Sequence, residues 1–506
     1  MNYQKDKNIF LTKEEPDQKK IRRKKLNFFR SKGFNFPNKF KPTISIKKII
    51  LNYKNLENLK LKEQNIIVQV AGRIIKQRFM GKSTFIILQE GNKEIQVYLT
   101  QEKILSNKYI KKFKDLDLGD IIGIKGKLFK TKTKELSIYC DNLKLLNKSL
   151  HPLPNKYHGL IDQELRYRKR YLDLISNKKI FTIFKNRSKI MINIRRFMEK
   201  NNFLEVETPM MQNLPGGADA RPFITHHNTL NMNMYLRISP ELYLKKLIIG
   251  GFNRIFEINK NFRNEGISTR HNPEFTMMEL YSTYDTYKDM MKILEKLIKK
   301  IVYKTFKEEI INYGKNKINF NVPFKKISIK NAILEHNPKI KYSDLESLSK
   351  IKKISKKLNI EIKENWKIGK FILEIFEKTV EKKIIQPTFI TEYPTEVSLL
   401  ARKTNFDENI AERFEFFIAG YEIANGFSEL NDAEDQKKRF KNQIEEKNID
   451  ESNMFFYDKD YINALEYGLP PTAGLGIGID RLIMILTNQN NIRDVILFPI
   501  LKKIKK

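Results

Sequence analysis

Arg263 and Glu265 follow an apolar run, and Arg270, His271, Asn272 and Phe275 come shortly before a second run, Met278, Glu279, Leu280, Tyr281. An arginine at the end of a strand, a polar loop and a second strand describe a hairpin suited to a phosphate or carboxylate. The planar guanidinium fork binds such oxyanions bidentately. Phe275 could stack on a base. A surface hairpin with incidental ion pairs is the alternative reading.

A second stretch sets Glu415 and Glu422 among Phe414, Phe416, Phe417, Ile418, Tyr421 and Ile423. With Ala419 and Gly420 as a two-residue turn, residue 418 faces 421 and 417 faces 422. The two glutamates then share one face of a hairpin. Paired carboxylates in an apolar strand pair are costly unless a cation joins them, and oxygen ligands favour Mg²⁺ bridging to phosphates. Asn425 and Glu429 have the opposite parity, so they reach that face only if a bulge intervenes near Gly426. The alternative is a pair of solvated glutamates. In a third stretch Gly474, Gly476 and Gly478 alternate before Asp480 and Arg481. Three glycines on one strand face leave it bare for a flat ring, or for close helix packing. Arg481, at the start of a helix, could meet a terminal phosphate.

Other chemistries are missing. Met80, Gly81, Lys82 and Ser83 end like a phosphate-binding loop, but Lys76 stands where its first glycine is required. The alternating glycines do not follow a first strand as a dinucleotide fingerprint would. No G-x-S-x-G or H-E-x-x-H occurs. His226 and His227 point to opposite faces of a strand, which disfavours a shared metal.

The elements that must position these residues fall into two kinds. Residues 1–64 are lysine-rich, with a helical stretch over 18–31. From 66 to 146 the apolar residues are β-branched and alternate, giving strand candidates at 67–70, 85–88, 95–99, 121–126 and 136–139. A helical stretch near 102–113 separates the third from the fourth. Five strands with one helix there is the order of an OB-fold barrel, a fold that binds single-stranded nucleic acid. A plain β-barrel spacer is the alternative. Pro152, Pro154 and Gly159 then mark a linker. An amphipathic helix over 185–201 and a strand over 204–207, stopped by Pro209, open a region of irregularly alternating helices and strands. A mixed, largely antiparallel domain is expected, so the fold class is α+β. The expected division is 1–64, 65–148 for the barrel, 149–165 for the linker and 166–506 for the large domain.

The chain has 506 residues and a net charge of +37, from 96 Lys+Arg against 59 Asp+Glu. That balance admits a polyanion partner, and it admits equally a codon bias that spreads lysine everywhere. Hydrophobic residues make up 41%, enough for large cores, which excludes a wholly disordered chain. The single cysteine, Cys140, excludes an intramolecular disulfide and a Cys-based zinc or iron–sulfur site. It fits a reducing compartment, so a cytoplasmic location is expected. No apolar run is long enough for a membrane helix, and residues 1–10 are too polar for a secretory signal.

The three stretches together resemble motifs 2 and 3 of the class II aminoacyl-tRNA synthetases, with the two-glutamate strand between them. Motif 1 is matched by the helix before Phe203 and by Glu205, Val206, Glu207, Thr208 and Pro209. Within the class the chain resembles the bacterial lysyl-tRNA synthetases, through Pro215 to Ala218, Arg221 to Asn228, Pro240 to Leu244 and Arg493 to Pro499.

The resemblance implies an OB-fold for the anticodon, a catalytic antiparallel sheet and a homodimer built around motif 1. It implies ATP-dependent ligation of L-lysine to tRNA(Lys) through a lysyl-adenylate, with Mg²⁺ as cofactor and no membrane partner. Arg263 would contact the amino-acid carboxylate and the α-phosphate of ATP. Glu265, His271, Asn272 and Phe275 would hold adenine and phosphates, Arg481 the γ-phosphate, and Glu415 and Glu422 the Mg²⁺. Glu241 would receive the α-ammonium, beside Gly216 and Asn425. Glu279, Tyr281 and Glu429 offer acceptors for a cationic side chain, where an aspartyl pocket would need Lys or Arg. On the barrel, Arg78, Phe85, Gln96 and Glu135 would read the anticodon. Asp219, Tyr421 and Ala424 depart from the bacterial pattern. A decayed synthetase kept as an RNA-binding module, and a paralogue that lysylates a protein, are the rival functions. The presence of the barrel argues against the second.

Overall fold

The computed structural model describes residues 15–105, 107–154, 160, 162–447 and 458–503. The polar segment 1–10 and Gly159 of the expected linker lie outside the described residues. The chain divides into two compact units, 1–182 and 183–506.

The first unit opens with helices α1 (Glu15–Ser31), α2 (Ile46–Tyr53) and α3 (Asn58–Glu63). Strands β1 (Ile67–Met80), β2 (Ser83–Glu90), β3 (Lys93–Thr100), β4 (Ile121–Lys130) and β5 (Leu136–Asn147) follow. They close into a barrel in the order β1-β2-β3-β5-β4. Period-two alternation decides which side chains go in. Ile86, Leu88, Ile95, Val97, Leu99, Ile122 and Ile124 are buried, and most of the residues between them face outward. The tight β1–β2 and β2–β3 connections place Gly81 and Gly91 at φ of 58° and 57°, where a side chain is strained. The helix expected near 102–113 is shorter, because α4 spans only Gln101–Leu105. Asn107 Oδ1 accepts from the amides of Tyr109 and Ile110 at 3.0 and 3.1 Å, an alternative to the helical ladder.

Helix α5 (Lys178–Lys200) starts ahead of its expected position at 185. The second unit centres on one eight-stranded sheet. Its strands are β6 (Leu204–Glu205), β7 (Arg254–Phe262), β8 (Glu274–Thr283), β9 (Lys325–Ser328), β10 (Thr388–Thr391), β11 (Arg413–Ile418), β12 (Tyr421–Ser428) and β13 (Thr472–Gly478). The order is β9-β10-β11-β12-β13-β8-β7-β6. The two outermost pairs are parallel and the rest antiparallel. The expected strand over 204–207 is shorter, Leu204–Glu205, with the Val206 N–H still donating to the Phe256 carbonyl at 2.9 Å. Helices α6 (Glu241–Ile249), α7 (Tyr287–Phe306), α8 (Lys459–Glu466) and α9 (Ile479–Leu486) complete the elements used below. One sheet face carries Met278, Leu280, Phe414, Phe416, Leu475 and Ile477, all buried. Burying each such side chain contributes roughly 1.5–3 kcal/mol. The other face is left for chemistry.

Candidate functional site

Strand register assembles that face. Glu415, Asn425, Gly476 and Glu279 lie opposite one another in a single row across β11, β12, β13 and β8. The next row is Arg413, Phe427, Gly474 and Tyr281. Ala419 and Gly420, at φ of 53° and 75°, form the expected turn, with Ile418 opposite Tyr421 and Phe417 opposite Glu422. The bulge is present but misplaced in the sequence reading. Phe416 pairs with Ala424, so the extra residue is Ile423, while Gly426 pairs regularly with Phe414 and Leu475. Either position restores the parity, and Glu422 and Asn425 come to one face.

Above this face lies a cavity of about 370 Å³. Glu241, Arg263, Glu265, His271, Asn272, Phe275, Glu279, Tyr281, Glu422, Asn425, Glu429 and Arg481 all line it. Two residues named from the sequence do not. Gly216 instead borders an adjoining cavity that also reaches Glu241 and Asn425, and a Cβ on it would come within 2.5 Å of Leu242. Glu415 is not among the lining residues, and its carboxylate is taken up by Arg413 and Tyr393. The three glycines divide the floor. A Cβ on Gly474 would strike Glu429 and the Tyr281 ring (2.7 Å), whereas Gly478 has nothing nearer than 3.6 Å. The protein's own side chains fill the space over Gly474, Met277 would come to 3.3 Å from a Cβ on Gly476, and the floor is least crowded at Gly478.

At one end the cavity gathers buried carboxyl groups. Glu279 accepts from Ser239 Oγ at 3.0 Å and from the Tyr281 hydroxyl at 3.2 Å. Burial, then the nearby Glu241, pushes Glu279 up to about 8. Burial also pushes Glu429 up to about 8, although Lys245 partly offsets this. Lys245, missed in the sequence, donates to Glu241 Oε1 at 2.7 Å and forms an ion pair with Glu429. Glu241 therefore belongs with Glu429, Glu279 and Tyr281 rather than apart from them. The signal for Lys245 was its i,i+4 spacing from Glu241.

At the other end lie cations. The Arg263 guanidinium stands over the Phe275 ring at 5.2 Å, and its buried Nε finds no acceptor among the described residues. Burial lowers the Arg263 pKa. Burial and Arg481 also lower the His271 pKa, so the ring is neutral near pH 7. Its Nδ1 lies 2.9 Å from Ser268 Oγ and its Nε2 lies 3.1 Å from Arg481 Nη2, which donates to it. Arg481 Nη1 also contacts Glu422 at 3.2 Å. Glu415 accepts from Arg413 Nη2 at 2.6 Å and the Tyr393 hydroxyl at 2.8 Å. Burial raises Glu415 to about 7, Arg413 opposes that, and Glu422 adds to it.

The barrel presents a different surface. Register puts Arg78, Phe85, Tyr98 and Tyr139 in one outward row over β1, β2, β3 and β5. Phe85 and Tyr98 have ring centroids 4.9 Å apart, and Tyr98 and Tyr139 5.5 Å. Gln96 Nε2 donates to Ser137 Oγ at 3.0 Å in the adjoining row. Glu135 is exposed just before β5. Tyr98, Tyr139 and Phe129 extend the aromatic platform and were not singled out as binding residues. Tyr98 is two residues from Gln96, and that period-two spacing was the available signal.

Residues 162–502 match the family of class II tRNA synthetases (D, K and N). Residues 68–146 match the OB-fold nucleic acid binding domain. The lysine–tRNA ligase of Buchnera aphidicola subsp. Schizaphis graminum is 60% identical over 489 residues, 97% of each chain. That of Wigglesworthia glossinidia brevipalpis is 55% identical over 485 residues, 96% of this chain and 98% of its own. That of Erwinia tasmaniensis is 53% identical over 483 residues, 96% of each. Similarity at this level runs through both units and along nearly the full length of every one of these relatives, so the chain belongs to the class II tRNA synthetases, among the bacterial lysine–tRNA ligases.

Proposed function

We propose that the protein joins L-lysine to the 3′ end of tRNA(Lys) through a lysyl-adenylate formed with ATP. The observation that carries the choice of lysine is the acidic end of the cavity. Glu241, Glu279 and Glu429 are three carboxyl groups, of which Lys245 pairs with two; Arg237, which also acts on Glu279, is already paired with Glu257 at 2.7 Å. Buried carboxylates without cations are costly, so a ligand with two ammonium groups gains most there. Aspartate and asparagine bring at most one. The lysine carboxylate is directed towards Arg263, whose free Nε awaits an acceptor.

The carboxylate attacks the α-phosphorus in line and pyrophosphate leaves. No protein nucleophile is needed, and positioning with electrostatics carries the rate. Arg263 and Arg481 offset phosphate charge, while Glu265, His271, Asn272 and Phe275 hold the nucleotide. A ribose hydroxyl at the tRNA 3′ end then attacks the adenylate carbonyl and AMP leaves. Glu422, which lines the cavity, would hold Mg²⁺ with Glu415 behind it, and carboxylate oxygens suit a hard cation that takes its other ligands from phosphates. The repulsion that Glu422 exerts on Glu415 is what such a cation would relieve. When bound, Mg²⁺ supplies charge neutralisation of the triphosphate.

Arg78, Phe85, Gln96 and Glu135, joined by Tyr98 and Tyr139, would stack and read the anticodon. The exposed apolar side chains Leu204, Met211, Leu214 and Ile224 flank Pro209 in sequence and support a homodimer built on that segment. No described helix is long and apolar enough to cross a membrane. A cytoplasmic location is part of the same reading. The decayed-module alternative is disfavoured by the assembled cavity. ATP–pyrophosphate exchange with lysine, aspartate, asparagine or no amino acid tests the function. Lysine-dependent exchange is expected. No exchange from folded protein with Mg²⁺ would return the decision to the RNA-binding module.

A further inference from the structure

Lys245 is buried to 0% exposure on α6. An i,i+4 Glu–Lys pair is ordinary on a solvated helix face, but this one faces the sheet. Its ammonium reaches Glu241 at 2.7 Å and pairs with Glu429, with the Phe427 ring at 5.6 Å and the Tyr461 ring of α8 at 6.0 Å. Both glutamates line the cavity. A second fully buried lysine, Lys148, bridges Asp117 and Asp120 at 2.5 and 2.6 Å in the first unit. There neither partner carboxylate lines the cavity. Lys245 differs because its partners are the groups that would meet substrate.

The charges close on a simple count. Glu241, Glu279 and Glu429, all ionised, carry three negative charges, and Lys245 removes one. Two remain, the number of ammonium groups on free lysine, whose carboxylate is left to Arg263. We propose that Lys245 is a positioning residue that ties Glu241 and Glu429 into the cavity and sets its charge deficit at two, so that it selects a diammonium ligand. This rests on lysine being the substrate.

The groups facing Lys245 are Glu241 on its own helix, Glu429 beyond β12 and Tyr461 on α8, with Glu279 and Tyr281 of β8 beyond them. Burial opposes the Lys245 charge, but Glu241 and Glu429 outweigh it and hold the ammonium well above the ordinary lysine value. Lys245 in turn restrains the rise of Glu429. Without it, Glu429 stays protonated to higher pH, and lysine must expel that proton to bind.

The test is lysine-dependent ATP–pyrophosphate exchange by wild type, K245M and K245R from pH 6.5 to 9. For K245M the KM for lysine should rise roughly a hundredfold at pH 7, and the loss should shrink as pH rises, with the KM for ATP within about threefold of wild type. K245R keeps the charge and should keep the wild-type pH profile, whatever its rate. An equal loss for lysine and ATP, or a K245M profile parallel to wild type, would reduce Lys245 to a structural tie. Should K245M not fold, K245Q in the same assay decides instead. The same lysine-specific, pH-dependent loss is expected, and an equal loss for lysine and ATP overturns the proposal. Absence of lysine-dependent exchange in wild type would overturn the functional reading itself.

Discussion

The cavity of the second unit and the outer face of the barrel are both polar recognition surfaces, built in opposite ways. The cavity draws Glu241, Glu279, Glu429 and Lys245 out of water, and two of the carboxyl groups move up to about 8. The barrel face keeps Arg78 and Glu135 exposed and Phe85 and Gln96 half-buried, and most of its contacts are ring on ring. Buried charge is unforgiving, because an unmatched group keeps its full desolvation cost. A stacking platform in contact with water is tolerant, because each ring contributes separately. The protein sets a stringent test for a small ligand that carries little information, and an additive one for a large ligand that carries much.

Arg263→Ala should break this contrast most severely. On the proposed function it removes the guanidinium that would face both the carboxylate and the α-phosphate, and exchange should fall by about a thousandfold or more. Retention of tRNA in a filter-binding measurement should be unchanged, and a parallel loss there would mean the two surfaces are not separate. Glu429→Gln comes next. It leaves Lys245 with one carboxylate, and the KM for lysine should rise on the order of a hundredfold while the KM for ATP holds. Phe85→Ala tests the tolerant surface. The KM for tRNA should rise about tenfold, consistent with ~1–3 kcal/mol for one stacked base, and exchange without tRNA should be untouched.

The smallest effect is the pH dependence of stability. In the free enzyme burial pushes Glu279 up to about 8, so it holds a proton that the unfolded chain has released, whereas Glu429 is paired with Lys245. The Glu279 contribution therefore favours the folded state less as pH rises from the ordinary carboxylate range towards about 8. Lysine binds the ionised form, so its stabilising effect should grow across the same window. A thermal-shift titration at pH 6, 7 and 8 should give a lysine-induced Tm increase that climbs with pH. A shift independent of pH would mean that Glu279 is already ionised.

Much of the fold was legible in the chain. The barrel strands were visible because one face is buried and the other wet, which writes a period of two into the sequence. The hairpin at Arg263 and the turn at Ala419 and Gly420 were visible for similar local reasons. Glu415 was read as a Mg²⁺ ligand beside Glu422, and the structure shows it held by Arg413, two residues before it, and by Tyr393, which only the fold brings near. Gly216 yields its place at the cavity to Gly217. The bulge was required by parity but landed at Ile423, because parity demands one extra residue without fixing where it goes.

By itself the sequence determined which residues could do chemistry, since residue type and local spacing set hydrogen-bonding capacity and strand face. Only the tertiary structure decided how those residues share charge. Lys245 reads as one lysine among many on a helix, and its i,i+4 spacing from Glu241 is ordinary on a solvated face. It becomes an internal counter-ion only when β12 carries Glu429 against α6 and water is excluded, because the strength of a charge pair depends on the surroundings that the rest of the fold supplies.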